Sequence, residues 1–193
     1  PPKFRQKQQA RLKLGGPNNA ICIGSFQKDG VGWGDGVEPK LIKGPDIFIS
    51  VVSELKKHIP IFILLTGPAR GYVINRLEKN SIPYHHAYLT NYEEILGFYH
   101  ALDLYLVTSR EEGGPMALME SMATHVPVVS TKVGQAEDLI QDKINGGLVD
   151  VDDVESICDR ALHYINLDPE IKKNQLAKEL ENHHFPNNDD IKL

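Results

Sequence analysis

The sequence predicts an α/β protein: a parallel sheet with helices packed on both faces, three layers in all. Three observations predict it. Short apolar runs alternate with helix-length stretches from residue 20 onward, the loops between them are mostly compact, and turns containing Gly or Pro close several of the runs. Residues 20–24 read as the first strand, and residues 46–58 as an amphipathic helix opened near Pro45. The run Ile61-Phe62-Ile63-Leu64-Leu65 is a buried strand, and the turn Gly67-Pro68-Ala69-Arg70-Gly71 leads into a helix over 71–80. Strand 84–89, helix 92–100 and strand 103–107 follow, then a helix over 115–124 with Pro115 at its first position. Strand 126–130, a short helix 136–140 and strand 147–149 come next, and helices 152–165 and 169–183 complete the body. Glu137 and Asp138 complement the dipole of their helix without needing a ligand.

Length and composition bound the reading. The 193 residues, 41% of them hydrophobic, support one core and one domain. The division expected is a linker and leading helix over 1–19, the domain over 20–184 and a polar tail over 185–193. A formal net charge of −5 argues against a nucleic-acid partner. The basic segment from Lys3 to Lys13 reads as a solvated helix face. Cys22 and Cys158 match no CxxC pattern and fit reduced thiols in a cytoplasmic protein, with a single disulfide left open. No apolar run reaches the ~20 residues that span a bilayer. The chain opens Pro1-Pro2-Lys3 without methionine, as expected for a piece of a longer protein.

In a sheet of this kind ligands bind beyond the carboxyl ends of the strands, so the chemistry is sought in the loops there. The segment Thr108-Ser109-Arg110-Glu111-Glu112-Gly113-Gly114-Pro115 joins a strand to a helix. Gly113 and Gly114 stand where the first helical N–H groups lack partners, and no Cβ obstructs an anion there. A bare anion site gains nothing from adjacent carboxylates. Glu112, and Glu120 inside the following helix, make sense if the ligand carries hydroxyls as well as phosphate. Lys43, before the helix at Pro45, is placed to reach such a phosphate or else to lie exposed, and Lys28 is a second candidate. Gly67 sits in a turn at the same edge, and Gly134 either lets backbone approach a ligand or ends a strand. The loop 25–43, with Gly30, Gly32, Gly34 and Gly36 around Trp33, is long enough to be either functional or disordered.

Other chemistries fail on pattern. The glycine ladder fits GxGxxG in no frame, no lysine precedes Ser or Thr as a P-loop requires, and no GxSxG elbow occurs. His85-His86 and His183-His184 are adjacent pairs rather than the i, i+4 spacing of a helical zinc site, so no metal site is expected.

Taken together, Glu112-x7-Glu120 and the following Ser121-Met122-Ala123-Thr124-His125-Val126-Pro127-Val128-Val129 resemble the EX7E region of retaining glycosyltransferases with the two-domain GT-B fold, family 4 (glycosyl transferases group 1). Lys43-Gly44 resembles the family's lysine-glycine after the first strand, and Thr131-Lys132-Val133-Gly134 its later glycine turn. The resemblance implies a Rossmann-like α/β/α domain, the donor-binding carboxyl-terminal half of a GT-B fold. It implies that Glu112 bonds donor-sugar hydroxyls, Glu120 the ribose diol, and Lys43 the diphosphate, with Gly113, Gly114 and Pro115 lining the donor. It implies transfer of a hexosyl group from a nucleotide diphosphate sugar without a cofactor or metal, and a partner domain upstream that holds the acceptor. For the parent protein a peripheral membrane contact stays open. Two departures stand out: Ser25 follows Gly24 where the family usually has a basic residue, and Gln135 follows Gly134 where a second glycine is common. Two alternatives therefore remain, a non-catalytic interaction or regulatory module of the same fold and a sugar-nucleotide epimerase.

Overall fold

A computed structural model of the chain describes residues 4–167, apart from Thr90 and Pro115. The predicted helix 169–183, the tail 185–193 and the second histidine pair lie outside the described residues. Six strands form one sheet: β1 (Ile21–Phe26), β2 (Ile61–Thr66), β3 (Tyr84–Ala87), β4 (Leu104–Val107), β5 (Val128–Thr131) and β6 (Gly147–Val149). All pairings are parallel, in the order β3-β2-β1-β4-β5-β6. The helices are α1 (Phe4–Lys13), α2 (Pro45–Leu55), α3 (Gly71–Lys79), α4 (Ile95–Ala101), α5 (Met116–Ala123), α6 (Ala136–Leu139) and α7 (Val154–Asn166). The strand order reverses between β1 and β4, and there the outgoing chains part and leave a crevice.

Alternate residues of the inner strands enter two cores. Ile23, Ile63, Leu65 and Val129 pack with Phe48, Val52, Leu55, Ile157 and Tyr164 from α2 and α7. Cys22, Leu64, Tyr105 and Val128 pack with Phe98, Tyr99 and Leu118 from α4 and α5. Both faces are covered, which is why these strands read as unbroken apolar runs rather than alternating ones. Cys22 and Cys158 fall in opposite cores and are free thiols; burial raises the first to about 12 and the second to about 11.

Several boundaries move for local reasons. β1 continues to Phe26 because β2 still pairs with it there, Phe26 against Thr66. β3 stops at Ala87, opposite that same Thr66, where its neighbour ends. This releases Tyr88 and Leu89 from the sheet. The predicted helix 92–100 begins as a 3₁₀ turn, Tyr92–Glu94, before α4.

The basic amino-terminal segment is a correction. Helix α1 is polar nearly throughout, and while Lys13 is exposed, Lys7 and Arg11 are not part of a solvated face. Arg11 is buried, donates from Nε to the Ala101 carbonyl at 2.9 Å and pairs with Asp103. Lys7 Nζ meets the other oxygen of Asp103 at 2.5 Å, and the Cys22 N–H donates to that carboxylate at 2.8 Å. Burial pushes the Asp103 carboxyl up, but Lys7, Arg11 and the Cys22 N–H outweigh burial and hold it below its ordinary range. Removing one member of such a pair strands the other charge. Asp103→Ala should therefore lower stability by about 3–5 kcal/mol in urea unfolding, and Arg11→Met combined with Asp103→Leu should lose much less.

Candidate functional site

The crevice between β1 and β4 is floored by two segments stitched together. After the excursion that leaves β1, a 3₁₀ turn Leu41–Lys43 ends at Gly44, whose φ of 62° places it in the left-handed region. A Cβ on Gly44 would lie 1.8 Å from the Thr108 carbonyl oxygen, so only glycine lets the chain pass. The Thr108 hydroxyl donates to the Gly44 carbonyl at 2.9 Å, and the Arg110 N–H to the Ile42 carbonyl at 2.8 Å. The Arg110 guanidinium then grips both oxygens of Asp46, at 2.9 and 2.8 Å, and also reaches the Leu41 carbonyl and Asp152. Its hydrogen bonds hold the Asp46 carboxyl below the usual carboxylate range, and Asp46 in turn raises Arg110.

On this floor Lys43 Nζ forms an ion pair with Glu112 Oε1, to which the Ser109 hydroxyl also donates at 3.2 Å. Both side chains are largely buried, 24% and 14% exposed, yet they open with Lys40, Ile42 and Gly113 onto a pocket of about 440 Å³. Gly134 backs the pocket: its φ is 49°, and a Cβ there would stand 2.4 Å from the carbonyl oxygens of both Glu112 and Gly113. Its role is thus close backbone approach to the Glu112–Gly113 turn. Gly114 lies beside the Gln135 side chain, so the residue in place of the usual second glycine packs on the turn itself. Pro115 lies outside the described residues.

Glu120 lies on α5 in a separate cleft of about 520 Å³. Its Oε2 accepts from the hydroxyl of the fully buried Tyr99 at 2.8 Å, which answers how a half-buried carboxylate is satisfied. Gly67 and Pro68 after β2 form one wall of this cleft, and Tyr88, Leu89 and Asn91 after β3 another. Lys43, Glu112 and Gly113 therefore gather in one pocket, while Glu120 and Gly67 gather in the next.

Lys28 joins neither set of lining residues. Its ammonium sits over the Trp33 ring, 3.7 Å from the centroid. The long loop that carries it is anchored. Gly30 and Gly36 abut the Ala69 backbone, and the carbonyls of Asp35 and Gly36 accept the Gly71 and Tyr72 N–H groups at 2.7 and 2.8 Å. These carbonyls occupy the first turn of α3. Sequence reasoning missed Arg70, which is fully buried. Its guanidinium meets Asp29 at 3.1 Å and donates to the carbonyls of Ser25, Gln27 and Thr66. Burial raises the Asp29 carboxyl, against the pull of Arg70. The available signal was an arginine inside a Gly-Pro turn, a place where no solvated residue needs it.

Among the described residues no three His, Cys, Asp or Glu side chains converge as a metal ion would need, and no helix is long and apolar enough to cross a membrane.

The model of a protein family described as glycosyl transferases group 1 matches residues 38–183. The chain belongs to this family. The lipopolysaccharide core biosynthesis mannosyltransferase LpsB of Rhizobium meliloti is 28% identical over 139 residues, 67% of this chain and 40% of that protein. The D-inositol 3-phosphate glycosyltransferase of Corynebacterium jeikeium is 25% identical over 184 residues, 89% of this chain and 41% of that one. The group 1 chain thus spans about two-fifths of the length of these relatives. Among solved structures, Anabaena HepE in complex with UDP-glucose superposes with a TM-score of 0.73 at 20% identity, over 93% of this chain and 49% of HepE. S. aureus TarM, solved with UDP, superposes at 0.68 with 20% identity, over 86% and 33%. The group 1 domain here is accordingly a Rossmann-like α/β domain whose structural neighbours are GT-B glycosyltransferases.

The Arg110–Asp46 contact has a pH signature. A carboxyl depressed in the folded state contributes stability that is fully present above its ordinary pKa of 3.8 and is lost as the pH falls through the lower folded value. The stability difference between wild type and Asp46→Asn should be constant near neutrality and shrink below about pH 4, as read by urea midpoints across pH.

Proposed function

We propose that this domain grips the nucleotide diphosphate sugar donor of a retaining, metal-independent hexosyltransferase, and that the parent protein completes the cleft with an upstream domain that holds the acceptor. The observation that carries the reading is the Lys43–Glu112 pair at the strand-order switch, with Glu120 in the next cleft along the same edge. The ribose hydroxyls donate to Glu120, whose other contact with Tyr99 keeps the carboxylate in place. The diphosphate lies between the clefts, against Lys43 and the Gly113 and Gly114 N–H groups. The donor sugar then turns its hydroxyls to Glu112.

Charge on the leaving diphosphate grows as the glycosidic bond breaks, so Lys43 interacts more strongly with the transition state than with the bound donor. Glu112 pre-positions the lysine in the empty site and is freed for the sugar once the phosphate competes for the ammonium. With positive charge supplied by Lys43 and by helix-end amides, the reading assigns no metal to the reaction. The isolated chain should bind nucleotide weakly and transfer little, because orientation of the acceptor comes from the other half.

One pair of observations favours a second reading, a non-catalytic module of the same fold. Ser25 stands where a basic residue is usual, and the nearby Arg70 is buried and engaged by Asp29 and three carbonyls. Assays of the parent protein for transfer, free-sugar release and epimerisation separate these readings. In that parent, Lys43→Ala and Glu112→Ala should each lower kcat/KM by roughly 10²-fold or more, measured at a temperature where both variants stay folded. Turnover unchanged in both would defeat the assigned roles. Titrating the 193-residue chain with UDP, GDP and ADP should shift the amide signals of Gly113, Gly114 and Glu120 for at least one nucleotide.

A further inference from the structure

Glu112 needs a second holder if Lys43 is to leave it for a phosphate. Among the described residues two donors meet its carboxylate, and both meet the same oxygen, Oε1: the Lys43 ammonium and, at 3.2 Å, the Ser109 hydroxyl. Oε2 meets no donor among the described residues. A phosphate that draws the ammonium away leaves the carboxylate with Ser109 alone. Glu is among the side chains with the most rotamer freedom to lose, so a carboxylate with no holder would spread over several positions.

Ser109 is itself firmly placed. It stands two residues beyond the end of β4 and is wholly buried. Burial keeps water from competing for its hydroxyl, and a buried hydroxyl needs a partner. Its carbonyl accepts the hydroxyl of Thr131, the equally buried last residue of β5, at 2.6 Å. On its other side Thr108 is fastened to the Gly44 carbonyl. The serine is thus tied to both connections that border it, and its hydroxyl reaches Glu112 three residues on. We propose that Ser109 is a positioning residue: its hydroxyl keeps Oε1 of Glu112 in place when the ammonium moves to phosphate, and so presents Oε2 to a hydroxyl of the donor sugar. A sugar hydroxyl can donate there, since an ionised carboxylate only accepts. This rests on the donor-binding reading above.

The test is a double-mutant cycle in the parent protein, read as release of free sugar from UDP-glucose, GDP-mannose and ADP-glucose. Ser109→Ala should lower kcat about tenfold, the loss of one hydrogen bond to a charged group. KM for the donor should stay within about twofold, because Glu120 and Lys43 still hold the ribose and phosphates. In a Glu112→Ala background the same serine substitution should change kcat by less than about twofold, since the group it acts through is gone. A hydroxyl that only closes the turn gives a different result: Ser109→Ala then costs the same factor in both backgrounds, which would overturn the inference. Poor folding of the variant belongs with that outcome, because it lowers turnover whatever residue stands at position 112. Turnover in Ser109→Ala equal to wild type would overturn it too. In each of these cases donor binding stands. If Glu112→Ala releases sugar like wild type, or if none of the three sugar nucleotides is turned over, the donor-binding reading itself fails and this inference fails with it.

Discussion

The site depends on the contact between Arg110 and the segment from Leu41 to Asp46. Neither Lys43 nor Glu112 belongs to a regular element; each rides on a connection beyond a strand end. What makes them a pair is that the two connections are bonded to each other, by Arg110 to Asp46 and the Leu41 carbonyl, and by Thr108 to Gly44. Gly44 lets the backbones approach closely enough for this, and its left-handed φ turns the chain into α2. The ammonium and carboxylate are thus positioned by hydrogen bonds to carbonyls and charges a few residues away, so the pair is held in place before any ligand arrives.

A second constraint shapes the other side of β1. The excursion between Phe26 and Leu41 could have left the first turn of α3 open as an anion site. Instead its own carbonyls cap that turn, and Arg70 ties the loop to the ends of β1 and β2 from beneath. The basic group nearest Ser25 is consequently structural. Beside the β1–β4 crevice the lysine left near an open pocket is Lys43, paired with Glu112. The same logic holds at α1, where Arg11 and Lys7 pair with Asp103.

Much of this was legible in the sequence. The alternation of apolar runs with helical stretches marked every strand and helix of the described sheet, because a strand covered on both faces can hardly be anything but apolar. The residues that line the two clefts were legible by type: glycines and carboxylates at one strand-to-helix turn, and a lysine-glycine at another. Arg70, Arg110 and Asp103 were not, since each is an ordinary charged residue until its partner is known. Those partners lie far off in sequence: Ser25 is 45 residues from Arg70, Asp46 is 64 from Arg110, and Arg11 is 92 from Asp103. Lys28 shows the reverse case. Its type and location suited a phosphate, and the structure sets its ammonium over the indole of Trp33.

The sequence by itself determined the parallel α/β architecture and the family, because periodicity and turn chemistry are local properties of the chain. Only the tertiary structure decided which charges are spent on structure and which remain for a ligand. It also decided that Glu120 rests on Tyr99 and that Gly134 serves backbone contact. These depend on the reversal of strand order between β1 and β4, which brings together segments that no local pattern relates.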